Sequence, residues 1–419
     1  MKFKFSYLFA TVLSLTSVSS MLAVGNVRTD VLNRSYYNDI FLDCGIGLTT
    51  LDSLPAASML NLKLEKVGYS SDAERQNQII AGDSTDWNGH LLYPDGAPRF
   101  KVFFMNGGSS LEHASSLGEA SRRRIKEFVN AGGSYVGTCA GAIITSQGYD
   151  ETKCPTYLSL WPGMFGRTGK AKVYTGVTIE KNSPLLKYYD FGGDKYIKEL
   201  RHNHGNYPLD LPKGAEVLAR YDFKEGGKMH GQPVVSAYKK DANTGRLVLC
   251  GSHPEEIVDG ERRDLCAAMI KYAIDGRGIT KIKGYLKNGE VRKMDRHTYE
   301  RNPDFTRIGD MQSHHFAVEI PKGARDVTFK LVGAEGSHMT LAVCKDTYAY
   351  DDVADFRSIM DGNVQQFSMA RPAPGLWYVC VKCLDQPVST NAGQAHIYTK
   401  LPVNDLLNGV PYTIEVSWK

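Results

Sequence analysis

The chain has 419 residues, 42% of them hydrophobic and 23% charged, which is enough for two globular domains with ordinary cores. The formal charge of +4 includes Lys2 and Lys4, so the remainder is nearly balanced. That excludes a strongly basic surface of the kind that holds nucleic acid or an anionic membrane.

In chain order, Lys2 and Lys4 precede an apolar run from Phe5 to Val18, followed by Ser19, Ser20, Met21, Leu22 and Ala23. This layout predicts a secretory signal peptide over residues 1–23, cleaved near Ser20 or Ala23, and hence export to the periplasm or the medium. The run is too short to span a bilayer comfortably, and no later segment is apolar enough to do so. Asp39 to Cys44 reads as a short buried strand ending at Gly45-Ile46-Gly47. Ser53 to Leu62 reads as a helix with Pro55 in its first turn, and Leu64 to Tyr69 as the next strand. Residues 70–98 carry turn chemistry without a clear period.

Phe100 to Met105 is a clear strand, and Asn106-Gly107-Gly108 follows it. Leu117 to Asn130 is the strongest helix, with Ile125, Phe128 and Val129 inward. Gly132 and Gly133 stop it, Ser134 to Val136 form a strand, and Gly137-Thr138-Cys139-Ala140-Gly141 closes the strand in a sharp turn. G-x-C-x-G is the spacing of a nucleophile elbow with Cys in place of Ser. This alternation predicts an α/β fold with a mainly parallel, flavodoxin-like sheet flanked by helices. Functional groups of such sheets gather beyond the carboxyl ends of the strands, which puts Gly107, Gly108 and Cys139 on one rim.

Strands at Lys172–Glu180, Glu216–Phe223, Gln232–Tyr238 and Arg246–Cys250 follow, and a helix from Arg262 to Ile274 closes a domain over 24–278. A basic connector is expected over 279–310. Residues 311–419 alternate short strands with turn signals, the pattern of an all-β sandwich domain.

A cysteine nucleophile needs a base and a group that orients the base. His253 follows the strand end at Cys250, and Glu255 lies two residues on. The backbone N–H groups of Gly107 or Gly108 and of Ala140 can form an oxyanion hole, worth about 3 kcal/mol per donor. The polar run Arg201-His202-Asn203-His204-Gly205-Asn206 is expected to line the pocket, with His204 and Asn206 contacting substrate. Two histidines at i, i+2 are weak evidence for a metal, so neither a metal nor a cofactor is expected. Of the eight cysteines, Cys139 must stay free as a nucleophile, and the seven others cannot all pair within one chain. Cys344 with Cys380 or Cys383 is the expected disulfide, because export favours disulfides and all three lie in one strand-rich region. Zinc at Cys380-x-x-Cys383 lacks a second Cys or His pair at finger spacing.

Gly137-Thr138-Cys139-Ala140-Gly141 together with Ser252-His253-Pro254-Glu255 resembles the class I glutamine amidotransferase-like superfamily. Within it, Asn106-Gly107-Gly108 and the elbow through Ala142 are most similar to the biotin–protein ligase N-terminal domain family, over residues 36 to 276. The resemblance implies Cys139 as nucleophile, His253 as base and Glu255 as its orienter. Glutaminase domains of the superfamily usually carry Gln two residues after the second glycine of the elbow. Ile143 stands there in this chain, which with export argues against a glutamine-to-ammonia role.

The implied activity is hydrolysis of an amide-type bond in a small-molecule or peptide-like substrate. The alternative is a non-catalytic ligand-binding or scaffold protein that keeps the elbow as architecture. Leu376 to Lys382 and Tyr412 to Trp418 resemble pre-peptidase C-terminal domains. That resemblance implies an accessory module that binds, spaces or tethers, including association with the cell envelope.

Overall fold

The computed structural model describes residues 38–67, 73–83, 88–224, 227–350, 352–385, 387–389, 395–397 and 407–419. The expected signal peptide lies outside these residues. Among them, no helix is long and apolar enough to cross a membrane.

The first part of the chain is built on one nine-stranded sheet. In chain order its strands are β1 (Asn38–Asp43), β2 (Leu64–Val67), β3 (Phe100–Met105), β4 (Ser134–Thr138), β5 (Val173–Ile179), β6 (Tyr196–His202), β7 (Glu216–Asp222), β8 (Pro233–Tyr238) and β9 (Leu247–Cys250). They lie in the order β2-β1-β3-β4-β9-β8-β7-β5-β6. The five strands β2 to β9 of that order pair in parallel, and β8, β7, β5 and β6 continue the sheet antiparallel. The sheet is therefore mixed, with its parallel half where the elbow sits.

Period-two patterning fixes which face each strand residue serves. Ile40, Leu42, Val102, Phe104, Val136 and Val248 pack on one face with Leu265 and Met269 of helix α6. Phe41, Phe103, Tyr135, Leu247 and Leu249 pack on the other. Among the described residues six α-helices accompany the sheet: α1 (Pro55–Met59), α2 (Ala73–Ala81), α3 (Ser110–Ser116), α4 (Gly118–Asn130), α5 (Ala140–Ile143) and α6 (Gly260–Asp275). Helix α4 buries Ile125, Phe128 and Val129 as its spacing predicts. Helix α1 is shorter than the predicted 53–62. Helix α2 falls in the stretch whose periodicity carried no prediction.

The second part is a sandwich of two sheets. Its strands are β10 (Ile282–Tyr285), β11 (Val291–Met294), β12 (Ser313–Ile320), β13 (Val327–Gly333), β14 (Met339–Lys345), β15 (Phe356–Ser358), β16 (Val364–Met369), β17 (Gly375–Cys383) and β18 (Tyr412–Ser417). The sheets run β10-β12-β17-β14-β15 and β11-β18-β13-β16, and Phe316, Phe329, Leu331, Val379 and Ile414 fill the space between them. Two strands come from the stretch 279–310 expected as a connector. β10 pairs with β12 and β11 with β18, so those residues are sandwich and not linker.

The expected disulfide is not present: all eight cysteines are free thiols. Register explains it. Cys380 lies opposite Ala342, Cys344 opposite Tyr378, and Cys383 opposite Met339, so no two of the three face each other across the ladder.

Buried charge joins the two parts. The side chains of Arg99 and Asp310 form an ion pair and are 2% and 1% exposed. Burial raises the Asp310 carboxyl, and Arg99 opposes that rise. Asp95 pairs with Lys283 and lies 3.5 Å from His314 Nε2. Burial alone would raise Asp95, but Lys283 and His314 hold it well below the ordinary carboxylate range. These groups sit before the start of β3, at the amino edge of the parallel strands.

Removing one partner of such a pair strands the other charge in the interior, which costs about 3–5 kcal/mol. Arg99→Met is expected to lower the unfolding free energy by that amount in urea titrations. Arg99→Met with Asp310→Leu should recover most of the loss, because no unpaired charge remains.

Candidate functional site

The carboxyl ends of β3, β4 and β9 meet in a cleft of about 350 Å³ lined by Gly108, Cys139, Ala140, His204 and His253, among others. The cleft forms because β4 turns directly into α5. A Cβ on Gly141 would overlap the Met105 carbonyl, and one on Gly137 would overlap the Gly141 carbonyl. Glycine at both positions lets strand and helix touch, and the turn between them forces Cys139 to φ 47°, ψ −105°. A non-glycine residue in that region costs about 1–3 kcal/mol and persists only when its surroundings determine it. The surroundings here are specific. Cys139 N donates to Cys250 O at 2.8 Å, Gly141 N to Asn106 O at 3.0 Å, and Tyr135 Oη to Gly141 O at 2.6 Å.

His253 reaches the cleft from the loop after β9. Its N–H donates to Arg201 O at 3.1 Å. His253 Nδ1 lies 3.0 Å from Glu255 Oε1, and both side chains are buried. A hydrogen bond to Glu255 through Nδ1 fixes the ring so that Nε2 is the atom free for chemistry. Nε2 is buried and makes no hydrogen bond among the described residues. A Cβ on Gly107 would overlap the His253 ring and stand 3.4 Å from the Cys139 Cβ. Gly107 is thus the floor that both side chains share.

Burial pushes the His253 imidazole down, but the neighbouring Cys139 and the Glu255 carboxylate outweigh it. The net result is a pKa raised to about 10. The Cys139 thiol also has Asn203 O within 3.6 Å.

Gly108 and Ala140 line the same space. Ala140 opens α5, where a helix provides no acceptor for the N–H. Gly108 forms an antiparallel bridge with Leu48, flanked by Thr49 N to Gly107 O at 2.8 Å and Ser109 N to Gly47 O at 2.7 Å. That pattern turns the Gly108 N–H away from the bridge partner. His113, wholly buried, braces the Gly47 loop through Ile46 O at 2.8 Å and Asp43 Oδ2 at 3.0 Å.

The polar run 201–206 divides. His204 is exposed and lines the cleft with φ 51°. His202 is buried, with Nδ1 2.8 Å from Ser252 Oγ and Nε2 2.8 Å from Thr168 Oγ1. Both its nitrogens are engaged, and burial, with the neighbouring His253 and His204, pushes it down to about 4. A neutral structural ring, not a metal ligand, fits those contacts. Among the described residues no group of three or more His, Cys, Asp or Glu side chains could hold a metal ion. Asn206 lines the cleft, but its Nδ2 donates to Cys139 O at 2.7 Å and so holds the elbow.

Sequence reasoning missed Arg167 and Glu256. Arg167 ends a three-residue strand with no signal in the sequence. Glu256 adjoins Glu255 and pairs with Arg201 across the cleft mouth.

Residues 97–152 match the family model described as biotin-protein ligase, N terminal. The biotin–protein ligase of Schizosaccharomyces pombe is 25% identical over 236 residues, covering 49% of this chain and 34% of that protein. The chain therefore spans about a third of the length of that curated relative. Among solved structures, a glutamine amidotransferase is 17% identical, with 52% of this chain and 90% of that one covered and a TM-score of 0.35. The pre-peptidase C-terminal domain of a collagenase from Bacillus anthracis is 13% identical, with 33% and 98% covered and a TM-score of 0.22.

The raised His253 value carries a stability signature. A group whose pKa is higher in the fold than the ordinary 6.5 stabilises fully below that pH. The contribution is lost as pH rises towards about 10. The difference in unfolding free energy between wild type and His253→Gln should therefore shrink as pH rises from 6.5 towards 10. Chemical denaturation at several pH values checks it.

Proposed function

For a chain that resembles the biotin–protein ligase N-terminal domain within a glutamine amidotransferase-like fold, we propose hydrolysis of an amide-type bond by a cysteine nucleophile. In this reading Cys139 attacks, His253 is the base and Glu255 orients it. The observation that carries it is the pairing of His253 Nδ1 with Glu255 at 3.0 Å while buried Nε2 is unpartnered beside a positive-φ cysteine.

The Sγ proton passes to His253 Nε2, and the thiolate adds to the substrate carbonyl carbon. The N–H groups of Ala140 and Gly108 receive the oxyanion. As the tetrahedral adduct collapses, the C–N bond breaks and the amine leaves with the proton from His253. Water, deprotonated by the same ring, then cleaves the thioester and restores the thiol. A raised His253 pKa suits this order, since it favours imidazolium beside thiolate.

Export belongs to the proposal too, supported by the Lys2–Ala23 pattern, as does a tethering role for the sandwich at the cell envelope.

One observation favours the non-catalytic alternative. Asn203 O stands within reach of the thiol, so the proton has an acceptor other than His253. An electrophilic thiol probe separates the two readings. Catalysis predicts labelling of wild type at Cys139 at least ~10²-fold faster than His253→Ala, the lower end of general-base effects. Cys139→Ala should take no label in the cleft. Equal, slow labelling of wild type and His253→Ala would establish the binding or scaffold reading.

A further inference from the structure

Two guanidiniums line the cleft, and each hangs from a segment that touches one member of the Cys139–His253 pair. Arg167 lies opposite Asn206 in the antiparallel register of Phe165–Arg167 with Asn206–Pro208, and Asn206 Nδ2 holds Cys139 O at 2.7 Å. Arg201 O accepts the His253 N–H at 3.1 Å. Both side chains are about half exposed and reach the cleft wall.

Their present partners are carboxylates. Arg167 pairs through Nε with Asp150 at 2.9 Å, and its guanidinium carbon lies 4.1 Å from the centre of the Tyr149 ring. The ring holds the guanidinium by cation–π attraction, and the bond to Asp150 is made through Nε. Arg201 pairs through Nη1 with Glu256, the one acidic side chain in the cleft lining. A carboxylate of this chain thus already sits on Arg201 inside the cleft.

We infer that the cleft takes an acyl substrate bearing a carboxylate, which Arg201 and Arg167 bind as it displaces Glu256. This rests on the proposed hydrolase reading for the word substrate, though not for the recognition itself. Bidentate geometry makes arginine the residue suited to a carboxylate. Each arginine already holds one carboxylate of this chain, Asp150 on Arg167 and Glu256 on Arg201, so an incoming carboxylate binds by exchange.

The test compares alkylation of Cys139 by iodoacetate and by iodoacetamide, read by peptide mass spectrometry. The two reagents deliver nearly the same group and differ in one negative charge. Their rate ratio therefore cancels the intrinsic reactivity of the thiol. Relative to a neutral model thiol such as N-acetylcysteine methyl ester, the ratio for the protein should favour iodoacetate by ~5-fold or more at low salt, the size expected of one charge contact at close range in water. Arg201→Gln and Arg167→Gln should each lower it. Glu256→Gln should raise it, which guards against a ratio that falls only because a variant is misfolded. Salt at 0.5 M, about 4 Å of screening length, should carry it back towards the model thiol.

A ratio equal to that of the model thiol, or one unmoved by both arginine changes, would overturn the inference. So would failure of both reagents to reach Cys139, since the cleft must admit a small acid. The same ratios measured in the His253→Ala background keep the two readings apart. Loss of the catalytic pair shows in the absolute iodoacetamide rate, and loss of carboxylate recognition shows in the response of the ratio to Arg167 and Arg201.

Discussion

Everything in the cleft depends on the contact between the end of β4 and the start of α5. Gly137 and Gly141 allow two backbones to meet where any side chain would collide with a carbonyl. The cysteine between them is left with a strained dihedral pair and no freedom to relax. The strain persists because Cys250 O, Asn106 O and the Tyr135 hydroxyl each hold one backbone group of the turn. From that fixed point the thiol, the first N–H groups of α5 and the shared floor at Gly107 acquire their positions together. A change to either glycine would therefore act on several groups at once, and its effects would not add.

The histidines show how environment separates residues of one type. His202 and His253 lie close enough to influence each other, yet their titration moves in opposite directions. His202 has neutral hydroxyls at both nitrogens, Tyr221 and Phe223 edge-on to its ring, and no carboxylate, so burial dominates. His253 has Glu255 on one side and Cys139 on the other, and these overcome the same burial. Two of the four histidine ring nitrogens are tied to hydroxyls and one to a carboxylate, which leaves one available for proton transfer.

Much of this was legible in the sequence because it depends on local signals. Glycines around Cys139, a strand before each functional turn, and the helix period of residues 117–130 each carry their own physical reason. His253 and Glu255 were found from their place after a strand end. What could not be read depends on pairing between distant segments. The antiparallel half of the sheet, the strands within 279–310 and the diagonal offset of Cys344 from Cys380 are matters of register, which short alternating runs do not specify. Arg167 belongs to the same class, since its nearness to Cys139 exists only through pairing with the Asn206 strand. The role of Asn206 differs from expectation for a related reason. A polar side chain beside a cleft can point at a ligand or brace the wall, and only the acceptor at 2.7 Å distinguishes the two.

The joint of buried charge at Asp95, Arg99, Lys283 and Asp310 lies at the amino edge of the parallel strands, whereas Cys139 lies beyond their carboxyl edge. The molecule therefore has a front and a back. The cleft opens at the end of the parallel strands opposite the joint with the sandwich. A sandwich joined at the rim would have made the two compete for the same side. Joined at the back, it contributes no residue to the lining of the cleft.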